Sequence, residues 1–423
     1  MVRFATVAAV LALMAAPLVA QESTEQLRKE LESLRKEVDG LKADRAQYES
    51  KEVAGAAKVS KDGMAPDGDS PVMTALKGTK LSGFVDAGYV INFNGLHSTG
   101  SSGNTDANAG AVRAFDTLDN SFYLNAIQLN IENLATKDRI VGYHIELAGG
   151  HDPSIYDGST VSIQEGWVQI MAPIGDGLDI RVGKMATLVG YEVIESPLNN
   201  QYSRGLLFTK LENFTQTGVR AGYTLNDKMS FTLGFSNGLN STAGGASVYS
   251  DPDHGKMAEI QFALKPNADA FVNLTVLVGN EQTAFAATSA DKFYIFDITG
   301  GYTMDKLVLG LNIDIDSFQV TGGRAPGTGV AVYSKYNMSD TFAPSVRIEY
   351  FSDKNGNLGV DDGTGGAGAR VFEFTLTGEF KIASTAIFRV ELRHDNCNDH
   401  IFGRDGSSAK GITTLGFEAI LPF

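Results

Sequence analysis

A single cysteine, Cys397, stands among the 423 residues, so no disulfide can form within the chain. Proline is scarce, at 11 residues, and there is one tryptophan, Trp167. Bases are outnumbered, 35 Lys and Arg against 50 Asp and Glu, and the resulting charge of −15 excludes the basic surface that nucleic-acid partners require. Beyond the extreme N-terminus no run of about eighteen apolar residues occurs, so no transmembrane helix is available. If such a chain spans a bilayer it must do so with strands, the other arrangement that satisfies every backbone polar group in lipid.

What is present begins with a leader. Residues 1–20 carry one positive charge (Arg3), an apolar core from Phe4 to Leu18 and Ala20 at a plausible cleavage point, the pattern of a secretory signal peptide. Leu18 is an imperfect residue three positions before the cut, and no cysteine follows that could carry a lipid. Residues 21–50 place Leu27, Leu31, Leu34, Val38 and Leu41 at alternating spacings of four and three, the seam of a short coiled coil. So few heptads, weakened by Gly40, need neighbouring chains already held together; a single solvated helix is the alternative. This segment is expected in the periplasm, where it could reach peptidoglycan. Residues 51–78 are small, polar and punctuated by Gly and Pro, a flexible linker.

From Thr79 the period becomes two and stays there. Ile127, Leu129 and Ile131 oppose Gln128, Asn130 and Glu132; Val141, Tyr143, Ile145 and Leu147 oppose Gly142, His144, Glu146 and Ala148. The fourth strand, residues 160–172, switches its apolar face near Glu165, which suggests a bulge. Continued to the C-terminus, the pattern predicts about sixteen strands over residues 79–423, each of roughly ten residues crossing a bilayer at a tilt. Connections alternate between short turns (TKD, NDK, MDK, MSD) and long Gly- and Ser-rich loops, the layout of an outer-membrane barrel. Tyr223, Tyr302 and Tyr336 each precede a short turn, as an interfacial aromatic girdle would. The last strand alternates Leu415, Phe417, Ala419, Leu421 and Phe423. Phe417, Leu421 and Phe423 resemble the C-terminal signal handed to the barrel-assembly machinery.

One connection differs. Between the strands Leu178–Lys184 and Gln216–Thr224 lies MATLVGYEVIESPLNNQYSRGLLFTKLENF, too apolar for a solvated loop. This predicts a loop folded into the lumen that narrows a pore over residues 185–213. Its candidate residues are Lys184, Tyr191, Glu192, Glu195, Tyr202 and Arg204. The wall candidates are Asp179, Arg181, Arg220, Arg347, Glu349, Arg389, Glu391 and Arg393.

The segments FDTLDNSFYLNAIQLNIE, QEGWVQIMAPIGDGLDIRVGKMATLVGYEVIESPLNNQYSRGLLF and TGVRAGYTLNDKMSFTLGFSNG resemble the β-barrel porin-2 family of bacterial outer-membrane porins. The resemblance covers essentially residues 81–423. It implies an all-β transmembrane antiparallel barrel of sixteen strands, assembled as a homotrimer in outer-membrane lipid, with the loop after the fifth strand in the place porins use for constriction.

If the apolar faces meet lipid, about thirteen acids and six bases face the lumen, which favours cations. Arg347, Arg389 and Arg393 on late strands and Glu192 and Glu195 on the loop could set a transverse field; alternatively the arginines pair with Glu349 and Glu391 in wall networks. No nucleophile with an orienting partner accompanies His144 and Glu146, so no enzyme activity is expected. DKNGNLGVDDGT begins like a calcium loop but has Leu358 and Thr364 where Gly and Glu are needed, so no metal or cofactor is expected either. Cys397 reads as an incidental thiol in the last long loop. The function expected is passive diffusion of small hydrophilic solutes and ions, weakly cation-selective. A phosphate- or sugar-selective channel and a cell-wall tether are the rivals, the tether separable by deleting residues 21–50.

Overall fold

The computed structural model describes residues 77–94, 112–239, 255–281, 291–320, 323–354, 360, 368–382, 385–404 and 407–423. The signal peptide, the coiled-coil positions Leu27, Leu31, Leu34, Val38 and Leu41, nearly all of the linker and most of the calcium-like stretch lie outside the described residues.

Within the unit Gly78–Phe423 the alternating pattern becomes a closed barrel. Its first strands are β1 (Lys80–Asn92), β2 (Ser121–Asn133), β3 (Val141–Gly149), β4 (Val161–Ala172), β5 (Leu178–Ala186), β6 (Thr215–Asn226), β7 (Met229–Ser236) and β8 (Met257–Asn267). They continue as β9 (Ala270–Glu281), β10 (Asp291–Met304), β11 (Leu307–Val320), β12 (Gly323–Tyr336), β13 (Phe342–Asp353), β14 (Arg370–Ile382) and β15 (Ala386–Cys397). A separate hairpin, β16 (Phe402–Arg404) with β17 (Ser407–Ala409), interrupts the connection to the last barrel strand, β18 (Gly411–Pro422). Sixteen antiparallel strands close the ring where β18 pairs with β1, which leaves no open edge. Phe423 and Gly83 exchange two backbone hydrogen bonds of 2.9 Å at this seam.

The period of two explains which face is which. Val182, Val219, Ile260, Leu274, Phe374, Leu392 and Leu421 are exposed on the outer surface, while their sequence neighbours turn inward. An exposed apolar band on consecutive strands suits lipid and would be an aggregation hazard in water. The ambiguity at Glu165 is indeed a bulge: Glu146 opposes Glu165 but Leu147 opposes Ile163, so Gln164 is the extra residue. A second irregularity, at Asn125, separates Ala126 opposite Asp86 from Leu124 opposite Ala87.

Turns at one end are short. At the other end most connections are long, although Val320 pairs with Gly323 and joins β11 to β12 almost directly. Numbered in chain order, the connections at this end include the first, L1 (93–120), the second, L2 (150–160), the third, L3 (187–214), the seventh, L7 (354–369), and the eighth, L8 (398–410). L2 contains a short helix, α1 (Asp152–Tyr156), and L3 another, α2 (Leu206–Lys210). Cys397 corrects one reading, since it ends β15 opposite Val371 and is buried rather than carried on L8.

The barrel interior is filled at the long-loop end. Leu206, Leu207 and Leu211 of L3 pack with Val112 of L1, Ile401 and Phe402 of L8, and the inward Tyr333, Phe351, Val371 and Ile412. Burying Leu206 and Leu207 completely contributes about 1.5–3 kcal/mol each. A loop with this much apolar surface has its stable place inside.

Candidate functional site

L3 leaves β5 at Ala186, crosses the lumen and returns to β6, tied to the wall along its length. The carbonyl of Leu188 accepts hydrogen bonds from Gln261 on β8 (3.0 Å) and Thr275 on β9 (3.3 Å). The amides of Gly190 and Tyr191 donate to Asp297 on β10 (3.3 Å) and Asn312 on β11 (2.6 Å). Further on, the amides of Tyr202 and Ser203 share the two oxygens of Glu391 at 2.7 and 3.0 Å. Glu349 receives the Leu206 amide at 2.6 Å, satisfying an orphan N–H at the start of α2. Inward carboxylates of the wall thus serve as acceptors for loop backbone.

The arginines complete the clamp from the other side. Arg347 donates to Glu192 (2.6 Å) and to the Ser203 carbonyl (2.6 Å), while also pairing with Glu373 (3.2 Å). Arg389 pairs with Glu379 (3.1 Å) and Glu418 (2.9 Å) and reaches the carbonyls of Ser196 (3.1 Å) and Asn199 (2.6 Å). Arg393 pairs with Asp395 (2.8 Å) and donates to the Arg204 carbonyl (2.7 Å). All three are fully buried. These bases meet the loop in direct contact rather than facing acids across water.

The other sequence-predicted residues fall into place around this clamp. Tyr202 bonds Tyr123 on β2 (2.6 Å) and fits a hollow between Gly88 of β1 and Gly416 of β18, where a Cβ on either would collide with its ring. Arg204 turns back on its own loop, donating to the carbonyls of Val193 (3.0 Å) and Tyr202 (2.9 Å). Lys184, on β5, is held by Asp157 of L2 (2.9 Å) and the Ile163 carbonyl (2.8 Å). Away from L3, Arg181 pairs with Asp179 (2.9 Å) under Trp167, and Arg220 with Glu259 (2.8 Å). Phe417, Leu421 and Phe423 lie on or at the end of β18 beside the seam, the last two exposed.

Lys184, Arg204 and Lys210 therefore do not converge, as a ladder for phosphate would require. Tyr191 lies stacked between Tyr333 (4.5 Å) and Phe271 (6.5 Å), which spends its ring faces inside the protein rather than on a sugar. Beside it a cavity of about 390 Å³ is lined by Glu192, Asn199, Asn200, Gln201, Asn273 and Thr299 with these rings, a mostly neutral polar chamber.

Three features were not foreseen. Asp86, the one charged residue between Gly83 and Ile91 on β1, takes the Ser196 hydroxyl at 2.6 Å. L1 also enters the barrel, where Arg113 pairs with Asp395 and, at 2.8 Å, with Asp116. The only trace of this was the AVRAFD island within a Gly- and Ser-rich loop. L3 itself carries buried ionisable groups: burial, reinforced by the Glu146 carboxylate, pushes Glu195 up to about 8, and burial with Asp297 and Glu192 raises Glu212 well above the usual range.

Lys210, at the end of α2, is drawn down by burial to about 8, with Asp353 opposing the shift. Below that pH the ammonium is present in the folded and the unfolded chain alike, and its burial costs stability in full. From about 8 to the ordinary lysine value of 10.5 the unfolded chain binds more protons, so stability rises with pH. Lys210→Met should raise the urea midpoint at pH 7, with the gain shrinking toward pH 10.5. A gain equal at both pH values would show that packing, not charge, is responsible.

Residues 78–423 match the family described as "Putative beta-barrel porin-2, OmpL-like". The chain belongs to this family. The porin-2 assignment covers the whole barrel, and similar solved structures are outer-membrane proteins of the same fold. OmpT of Vibrio cholerae in its trimer form shares 13% identity, covering 82% of this chain and 99% of that one with a TM-score of 0.55. An anion-selective porin from Comamonas acidovorans shares 9%, with the same coverages and TM-score. OprB of Pseudomonas putida shares 12%, covering 84% and 96%, also with a TM-score of 0.55. No curated protein matches the chain.

Proposed function

We propose that this porin-2 member is a passive channel for small hydrophilic solutes and ions, narrowed by L3, weakly cation-selective and trimeric in the bacterial outer membrane. The observation that carries the reading is L3 itself, a loop folded through the lumen and fastened to the opposite wall by its backbone. A fastened loop sets a fixed aperture and needs no energy source. The trimer rests on the V. cholerae OmpT trimer form and on the family. Barrel-assembly machinery would insert the chain through its terminal strand. The N-terminal segment would then lie in the periplasm, within reach of peptidoglycan.

Cation preference is supported by which charges remain uncompensated. Arg113, Arg220, Arg347, Arg389 and Arg393 each contact at least one carboxylate. In contrast, Asp297, Asp314 and Asp316 form no ion pair among the described residues and retain oxygens without a hydrogen-bond partner. Arg204 of L3 also lacks a carboxylate partner, but buried carboxylates outnumber buried bases among the described residues, and that excess, where ionised, raises the local concentration of cations. In planar bilayers under a KCl gradient, purified protein should give stepwise conductance, grouped in threes, with a reversal potential of cation-selective sign. An anion-selective potential would refute the charge argument, and well-folded protein without conductance would refute the channel.

A further inference from the structure

We infer that His144, Glu146 and Glu165 form a binding site for a divalent transition-metal ion of the zinc class, beside the point where L3 touches β4. One donor atom from each residue lies within 4.8 Å of the other two. Ligands of a tetrahedral zinc ion stand about 3.4 Å apart at bond lengths of about 2.1 Å, so small side-chain rotations bring these three into range. Imidazole nitrogen with carboxylate oxygen favours zinc-like ions over magnesium or calcium.

Backbone register assembles the cluster. Glu146 and Glu165 are cross-strand partners, and His144 lies opposite Glu132 on one side and Trp167 on the other. The extra residue at Gln164 is what places Glu165 opposite Glu146 while Ile163 keeps its place opposite Leu147. The bulge therefore has a chemical product, a second inward carboxylate.

The cluster is also short of positive charge. No Lys or Arg pairs with Glu146, Glu165 or Glu195 among the described residues, and Glu195 of L3 brings its carboxyl against Glu146. Glu146 is 3% exposed, and its Oε1 has no hydrogen-bond partner. A buried carboxylate without a counter-charge is costly, and a cation seated on it removes the cost.

The imidazole is already oriented for this role. Its Nε2 lies 3.4 Å from Glu146 Oε2, and Nδ1 lies 3.6 Å from Glu132 Oε2, where a carboxylate would fix the tautomer of a metal-bound histidine. Trp167 stacks on the ring at 5.0 Å and donates from Nε1 to Glu165 Oε2 at 2.9 Å, steadying two of the three ligands. Gln164 donates to Glu195 at 2.6 Å, so the site is joined to L3.

Trp167 is the chain's only tryptophan, and it reports on the site. Chelator-treated full-length protein titrated with ZnCl2 should show a saturable change in tryptophan emission that excess MgCl2 does not displace. His144→Gln and Glu146→Gln should each weaken it by about tenfold or more, with heat-modifiable migration confirming that the barrel has folded. Zinc-edge anomalous scattering from crystals of the unaltered protein should place one ion between the three side chains, independently of any variant. The inference is overturned by emission that responds to pH but not to zinc, since Glu146 and Glu195 would then share a proton instead. It is equally overturned by unchanged affinity in folded Glu146→Gln, or by anomalous density elsewhere only.

Discussion

Arg347→Ala should lower the unfolding free energy of the barrel by about 3–5 kcal/mol, the usual cost of stripping one partner from a buried ionic network. Arg347 is fully buried and contacts Glu192 of L3, Glu373 of β14 and Glu349 of its own strand, as well as the Ser203 carbonyl. Its removal leaves Glu192 and Glu349 with no cationic partner and Glu373 with Arg393 alone, at 3.7 Å. Denaturant titration of refolded protein measures the loss. Adding Glu192→Gln to the alanine variant should recover part of it, because one of the stranded charges is then gone. A loss below about 1 kcal/mol, the range of exposed pairs, would mean that water already reaches this network.

The second large effect concerns permeation. Replacing residues 190–211 by a short Gly- and Ser-rich linker should raise single-channel conductance several-fold and bring the ion selectivity closer to neutral. The deletion removes Tyr191, Glu192 and Tyr202 from the cross-section together with α2, and it frees the wall arginines from the loop carbonyls they now hold. The strand ladders are untouched, so heat-modifiable migration should persist. Conductance equal to that of the full chain would place the narrowest point elsewhere, with the inward stretch of L1 around Arg113 the next candidate.

Much of this architecture was legible because barrels are written in a local code. A period of two, repeated from Leu81 to Phe423, gives the strand number, the two faces and the closing strand before any contact is known. The inward course of L3 was also legible, since Leu206, Leu207 and Phe208 have no place in a solvated loop. Even the uncertain phase around Glu165 carried information, because a bulge was its cause. The pairings at the site were not legible. Arg389 and Asn199 are 190 positions apart, and nothing within either segment says that a guanidinium will cap that carbonyl. Lys184 has the same lesson: it stands near the end of the strand before the loop and reads as a constriction residue, yet an aspartate of L2 holds it. Arg113 escaped notice because the loop around it has the composition of an exterior one.

The hollow that receives Tyr202 has a consequence for assembly. One wall of it is Gly88 on β1 and the other is Gly416 on β18, the first and last strands of the ring. In an unclosed sheet those two strands are far apart and the hollow does not exist. L3 can therefore take its final seat only after the ring has shut, when the cost of bringing the chain ends together has already been met. Once seated, the tyrosine spans the seam like a bolt across a hinge, so the segment that crosses the lumen also resists the parting of β1 from β18.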